Sequence, residues 1–184
     1  SYKARRSLMK RIDPGMLKDY AFEVPFFSPS GDLRFRGNII NYIDRLIYFT
    51  GAHEKYMLAL LLDYSVRLKA QGHAAPLVFV DVGANAGNHA LFMARVADRV
   101  LAFEPFERVR SQMEDNLALN QITNVEVFPF ALSDKDETLP FYASNETNLG
   151  ASSFAKDHRK DSAYLGDMQL RIGDDVLKEL GVGH

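Results

Sequence analysis

Apolar positions fall into two regimes along the chain. Between 54 and 69, Tyr56, Leu60, Tyr64 and Leu68 recur at steps of four, and Met57 and Leu61 widen the stripe. That spacing predicts one helix with a continuous apolar face. Gln71-Gly72, with Pro76 shortly after, supplies its stop. Ahead of this helix, Pro25, Pro29 and the turn signal Ser30-Gly31-Asp32 interrupt aromatic segments such as Phe26-Phe27. Leu33, Phe35 and Ile39-Ile40 suggest a short strand or two. After Pro76 the pattern changes. Leu77-Val78-Phe79-Val80 is an unbroken β-branched and aromatic run, which predicts a strand buried on both faces, as in parallel sheets.

The same style continues downstream. A helix is expected over 88–98 and a second strand over 99–103, closed by Glu104-Pro105. A helix over 107–119 carries Val109, Met113 and Leu117 on one stripe. A third strand is expected over 125–130, and Pro129 pushes it towards a sheet edge. Strand, helix, strand, helix, strand predicts an α/β fold with a right-handed parallel sheet. Residues 1–75 then form an N-terminal helical and short-strand extension, and 76–184 form the first part of a ligand-binding domain. Residues 138–142 suggest an antiparallel excursion, 143–153 a loop rich in Ser, Asn, Gly and Ala, and 173–180 a helix capped by an acidic residue and ended by Gly181.

Composition narrows the classes. At 184 residues the chain can bury a sizeable core. A net charge of −2 provides no field to recruit nucleic acid or an anionic membrane. The longest apolar run, over 57–62, is too short to span a bilayer, and the basic start has no apolar run behind it, so it is not a signal peptide. The absence of cysteine excludes disulfides, thiolate metal sites and a cysteine nucleophile. These features fit a cytoplasmic enzyme. No metal site is expected: His53, His73, His158 and His184 show no ligand spacing and default to solvent, and Asp134 and Asp136 read as turn residues.

The informative stretch is Val80-Asp81-Val82-Gly83-Ala84-Asn85-Ala86-Gly87-Asn88, at a turn from buried strand to helix. Glycines there permit tight turning and close approach to a ligand, and ligands of open α/β sheets bind beyond the carboxyl ends of the strands. A dinucleotide site would show G-x-G-x-x-G with pyrophosphate on the helix N-terminus. Here the spacing is D-x-G-x-x-x-G, and Asp81 would repel a pyrophosphate. S-adenosylmethionine carries an ammonium and a sulfonium and no phosphate, so the carboxylate favours it over NAD. Glu104, ending the second strand, can accept from both ribose hydroxyls, a feature shared with NAD sites. Phe106 and Phe130 could flank an adenine, or be plain core.

Taken together, Asp81-Val82-Gly83-Ala84-Asn85-Ala86-Gly87, Phe103-Glu104-Pro105, Asn116-Leu117-Ala118-Leu119-Asn120 and Ala131-Leu132-Ser133-Asp134 resemble the FkbM family of S-adenosylmethionine-dependent methyltransferases. Gly150-Ala151-Ser152-Ser153 also looks like that family. The resemblance implies a Rossmann-like, doubly wound class I methyltransferase sheet. It implies methyl transfer to a hydroxyl oxygen of a sugar, glycan or secondary metabolite. By the same resemblance the cofactor is bound by Asp81, Gly83, Asn85, Gly87 and Glu104, with backbone around Ala131, Leu132 and Ser133 near the adenine; Ala84, Asn88, Pro105 and Phe106 adjoin these positions and complete the candidate cofactor site. Gly51-Ala52-His53-Glu54 is similar to the family's segment ahead of the first strand. Glu54 is therefore a candidate for the methionine end, with helix capping as the plain alternative. In the family a further strand follows a helix like 174–180. The sheet is accordingly expected to be truncated after its third strand, with one side of the first strand unpaired.

A hydroxyl acceptor calls for a general base. His89 adjoins the loop and is the candidate, although packing or surface exposure would equally account for it. The N-terminal segment and the loop over 143–165 are expected to line the acceptor pocket. Two other classes remain open from the residues alone: a nucleotide-dependent oxidoreductase, and a non-catalytic module acting within an oligomer or assembly.

Overall fold

The structure, a computed structural model, describes residues 19–72, 75–143, 154 and 163–182. The basic start, the 150–153 motif and most of the expected acceptor loop lie outside the described residues. So do His73, His158 and His184.

The described chain opens with an antiparallel hairpin, β1 (Ala21–Pro25) and β2 (Arg34–Asn38), in which Ala21 pairs with Asn38 and Pro25 with Arg34. Helix α1 (Tyr42–Thr50) follows, its N-terminus capped by the Asn41 side chain, which accepts from the Ile43 amide at 3.3 Å. Helix α2 (Lys55–Ala70) leads to the parallel sheet. That sheet comprises β3 (Val78–Val82), β4 (Arg99–Phe103) and β5 (Val125–Phe128) in that order. Helices α3 (Asn88–Met93) and α4 (Glu107–Leu119) connect them. A second sheet holds β6 (Ala131–Ser133), β8 (Ala163–Ile172) and β7 (Glu137–Ala143) in that spatial order, with β6 parallel and β7 antiparallel to β8. Helix α5 (Gly173–Glu179) follows directly from β8.

Side chains alternate across a strand, and β4 shows what covers each face of the parallel sheet. Val100 and Ala102 join a core with Ala90, Leu91 and Met93 of α3 and Met113 and Leu117 of α4. Leu101 and Phe103 face the other way, against Val176 of α5 and, at its rim, Leu177 and Leu180. The fold is thus mixed α/β with helices on both faces of its central strand. Phe22, Phe35, Ile47 and Leu58 from the first part of the chain join the same core as α3 and α4. The N-terminal elements therefore wrap the sheet and share its apolar interior.

Several elements differ from the sequence expectation. Helix α2 forms, but the stripe that signals it is not the buried one. Tyr56, Leu60 and Tyr64 are 79%, 59% and 61% exposed, whereas Leu58 and Ser65 are buried. The helix is apolar on more than one side, so periodicity finds the helix without choosing its face. Helix α3 stops at Met93, well short of 98. The third strand ends at Phe128, and Pro129 marks where the chain leaves the parallel sheet to start β6. Helix α5 lacks a side-chain cap, and Asp174 and Asp175 sit in its first turn instead.

Helix α1, strand β1 and strand β8 carry no expectation from sequence. Among the described residues β3 pairs with β4 alone and β5 is the opposite edge. No described helix is long and apolar enough to cross a membrane.

Candidate functional site

The carboxyl ends of β3 and β4 lie side by side, with Asp81 opposite Ala102 and Val82 opposite Phe103. Beyond them the chain turns sharply. The amides of Gly83 and Ala84 both donate to the Phe103 carbonyl, at 2.9 and 3.1 Å, and the Gly87 amide donates to the Ala84 carbonyl at 2.9 Å. Gly83, Asn85 and Gly87 all take left-handed backbone, with φ of 78°, 53° and 85°. Asn is the side chain that tolerates this region best.

The two glycines serve different ends. A Cβ on Gly83 would meet nothing within 4 Å, so the turn is open there to an approaching molecule. A Cβ on Gly87 would stand 2.7 Å from Met113 Cγ of α4, so Gly87 is demanded by packing inside the fold.

Two carboxylates flank this turn, and both are buried. Glu104 is held by backbone: one oxygen accepts from the Asn85 amide and the other from the Phe106 amide, each at 2.9 Å. It thereby ties the glycine turn to the start of α4 and keeps one further lone pair on each oxygen. Burial pushes its carboxyl upward, against those two amide bonds and the charge of Arg110. Arg110 is in turn anchored on the Glu104 and Pro105 carbonyls at 3.1 and 3.0 Å.

Asp81 is pushed up to about 6, chiefly by burial; the neighbouring Glu104 adds to the rise, while His89 and the Ala90 amide oppose it. Its Oδ2 is buried with no hydrogen-bond partner. A buried carboxylate oxygen without a partner is costly, and two carboxylates in one site raise that cost. The arrangement favours a cation or a set of donors arriving from outside.

A second layer stands behind Asp81. His89, the candidate base, presents Nε2 to Glu54 Oε2 at 3.5 Å, and His53 presents Nε2 to Glu54 Oε1 at 3.7 Å. Glu54 precedes α2 in left-handed backbone, φ 52°, and its side chain makes no capping bond. Glu54 thus occupies the N-cap position of α2 through its backbone carbonyl, which accepts from the Met57 and Leu58 amides, and its carboxylate sits between two imidazoles. His53 is part-buried against it, not left to solvent. Asn88 accepts from the His53 amide at 2.9 Å and donates to the His53 carbonyl at 3.1 Å, fixing this segment to the first turn of α3.

The remaining candidates scatter. Phe106 is half-buried, with its ring 6.0 Å from that of Phe141. Phe130 is half-buried, packed against Phe103 and Phe128 with Arg171 over its ring. Leu132 of β6 is half-buried and packs against the core beneath α5. Two features escaped the sequence reading. One is the clamp made by Asn88. The other is a cleft of about 320 Å³ lined by Tyr42, Leu46, Ala52, His53, Glu54, Tyr56 and Met57. The signal for the cleft lay in the unrecognised helix α1, which supplies Tyr42 and Leu46 to its lining.

Comparison with known proteins bears on this arrangement. The family model described as the methyltransferase FkbM domain matches residues 81–183. The AMB antimetabolite synthetase AmbE of Pseudomonas aeruginosa is 40% identical over 82 residues, covering 42% of this chain and 4% of that protein. The chain therefore spans a small part of that relative. The solved YcgJ protein of Bacillus subtilis aligns with a TM-score of 0.28 and 18% identity, over 36% of this chain and 29% of that one.

Proposed function

We propose, from the premise that this chain belongs to the family of FkbM methyltransferase domains, that it binds S-adenosylmethionine and passes its methyl group to a hydroxyl oxygen. The observation that carries this reading is Asp81: a buried carboxylate, one oxygen without a partner, beside a glycine turn open to ligand. A cationic adenosyl ligand relieves that deficit, whereas the pyrophosphate of NAD would aggravate it.

The donor set fits such a ligand. Asp81 faces the positive end, Gly83 lets the ligand lie against backbone, and the spare lone pairs of Glu104 accept from ribose hydroxyls. Asn85 holds the turn in its left-handed form, and the edges of Pro105 and Phe106 offer an apolar seat for the adenine, with the Ala131 and Leu132 backbone beyond. Asn88 contributes through the His53 segment it holds. When bound, the cofactor supplies the electrophilic methyl group and a thioether leaving group. The protein's own work is to position the acceptor oxygen in line with the methyl–sulfur bond and to take its proton.

A small molecule or a glycan is the proposed acceptor class. The name of AmbE, an antimetabolite synthetase, favours a secondary metabolite within that class. A second reading, a non-catalytic binding module, draws on β3 having a single strand neighbour among the described residues. Mass spectrometry of small molecules released from the purified full-length protein tests the proposal. S-adenosylmethionine or S-adenosylhomocysteine is the expected finding, and NAD would overturn it. Methyl-transfer assays on the purified protein separate the enzyme from the module.

A further inference from the structure

We propose that the cleft between α1 and the start of α2 is the acceptor pocket, and that Glu54 is the group in it that takes the acceptor's hydroxyl proton. This rests on the adenosyl site proposed above and adds the place and chemistry of the second substrate.

Four observations carry it. The cleft, about 320 Å³, has the size of a small-molecule site, and its walls mix apolar Leu46, Ala52 and Met57 with polar Tyr42, His53, Glu54 and Tyr56. Glu54 occupies left-handed backbone that a non-glycine residue adopts at a cost, and it makes no capping bond there. Such strain persists where surrounding structure imposes it, and it clusters at functional sites.

The carboxylate oxygens stand 3.7 Å from His53 Nε2 and 3.5 Å from His89 Nε2, within ion-pair range, and a small side-chain rotation closes either gap to the hydrogen bond that proton transfer needs. Finally, His89 acts electrostatically on Asp81, and Asn88 bolts His53 to α3. The cleft wall and the glycine turn are thereby one rigid unit, as in-line transfer requires.

The step balances without a further reagent. The acceptor O–H proton passes to a Glu54 oxygen as the acceptor lone pair forms the O–CH3 bond. The methyl–sulfur bond breaks, and its electron pair stays on sulfur, converting sulfonium to thioether. The proton leaves Glu54 by way of His53 or His89 to water. Other polar groups around Glu54 are Tyr42 of α1 and Lys55 and Tyr56 of α2. Lys55 lies with its ammonium 4.9 Å from the Phe27 ring.

The test uses the full-length protein with S-adenosylmethionine and two probe alcohols, catechol and methyl α-glucoside. Formation of S-adenosylhomocysteine reports transfer, and calorimetry with S-adenosylhomocysteine reports cofactor binding. Glu54→Gln is expected to lower kcat about a hundredfold on whichever probe is turned over, while leaving S-adenosylhomocysteine affinity within about threefold of wild type. Glu54→Asp should retain more activity than Glu54→Gln. Met57→Trp, at a part-exposed position where folding is not at stake, should raise the probe's KM and leave cofactor affinity unchanged.

Equal losses of cofactor affinity and turnover in Glu54→Gln would overturn the proposal, because Glu54 would then be holding the methionine end. An unchanged KM in Met57→Trp, or cofactor binding with no transfer to either probe, would also overturn it. Failure of the wild type to bind S-adenosylhomocysteine at all would instead strike the adenosyl reading.

Discussion

Asn88 grips the backbone of His53 at both of its polar groups, accepting from the amide at 2.9 Å and donating to the carbonyl at 3.1 Å. One buried side chain thus replaces a pair of backbone bonds and sets the segment 51–54 against the cofactor turn. Asn88→Ala leaves two backbone groups without partners, at a cost of about 1–3 kcal/mol. Chemical denaturation should show that loss. Turnover should fall as well, since the wall bearing Glu54 is released. A variant as stable as wild type would mean that water or another group replaces the clamp.

The glycines of the turn predict separable phenotypes. Gly87→Ala forces a methyl group to 2.7 Å from Met113 Cγ at a φ of 85°, so it should destabilise the fold by more than the roughly 1–2 kcal/mol of left-handed strain alone. Met113→Ala removes a fully buried side chain and is itself destabilising, so a double-mutant cycle should show the clash as a favourable coupling between the two substitutions. Gly83→Ala meets no protein atom, so it should cost only backbone strain, while its methyl group stands where a ligand would approach. Thermal unfolding and S-adenosylhomocysteine titration of both variants check this: Gly87→Ala should fail mainly in stability, Gly83→Ala mainly in binding.

On α4, Asn116 and Asn120 repeat the device at i and i+4. Asn116 accepts from the Arg36 amide and donates to the Arg36 carbonyl at 2.7 and 2.9 Å, and Asn120 does the same to Arg34 at 2.8 Å each way. These two amides give β2 the partners that a further strand would supply. Hydrogen exchange at the Arg34 and Arg36 amides should accelerate in Asn120→Ala and Asn116→Ala respectively. Exchange at β4 amides should change only as far as global stability does.

Asp44 and Asp81 give the stability a definite pH dependence. Burial pushes each up to about 6 from an ordinary value of 3.8. Asp44 Oδ2 accepts from the Asn38 amide and from Gln112, and its Oδ1 has no partner. Between pH 3.8 and about 6 the folded state therefore holds protons that the unfolded state has released. Unfolding free energy falls as pH rises through that window. The contribution of these two carboxyls to the stability of the ligand-free protein should be larger near the acid end of that window than at neutrality. Asp44→Asn keeps both accepted bonds and should flatten the Asp44 part of the slope, measured by denaturation across pH. A steeper slope would contradict the assignment.

The parallel sheet was legible because its signals are contiguous. Val78 to Val80 and Arg99 to Phe103 are apolar-rich runs closed by Asp81 and Glu104, but only the second is covered on both faces as expected: among the described residues β3 lies at the sheet edge, and its Val78, Phe79 and Val80 are half-buried. Other elements were hidden for physical reasons. Strand β8 alternates Met168, Leu170 and Ile172 with Asp167, Gln169 and Arg171, but a pattern of that length competes with a helical reading until β6 and β7 are placed beside it. Helix α1 has its cap at Asn41, yet Asp44 and Arg45 sit buried inside it, against the usual amphipathic rule. The clamp by Asn88 joins residues 35 positions apart, a distance no local spacing encodes. The family match places the chain among FkbM methyltransferase domains, whereas the roles of individual residues rest on the geometry around Asp81.

That geometry is tested most directly by calorimetry of the wild type and of Asp81→Asn, each titrated with S-adenosylhomocysteine and with NAD. The wild type should bind S-adenosylhomocysteine and give no binding heat with NAD, and Asp81→Asn should lose at least about tenfold in affinity, or ~1.4 kcal/mol. Binding of NAD by the wild type, or an Asp81→Asn variant that binds S-adenosylhomocysteine as tightly as wild type, would contradict it.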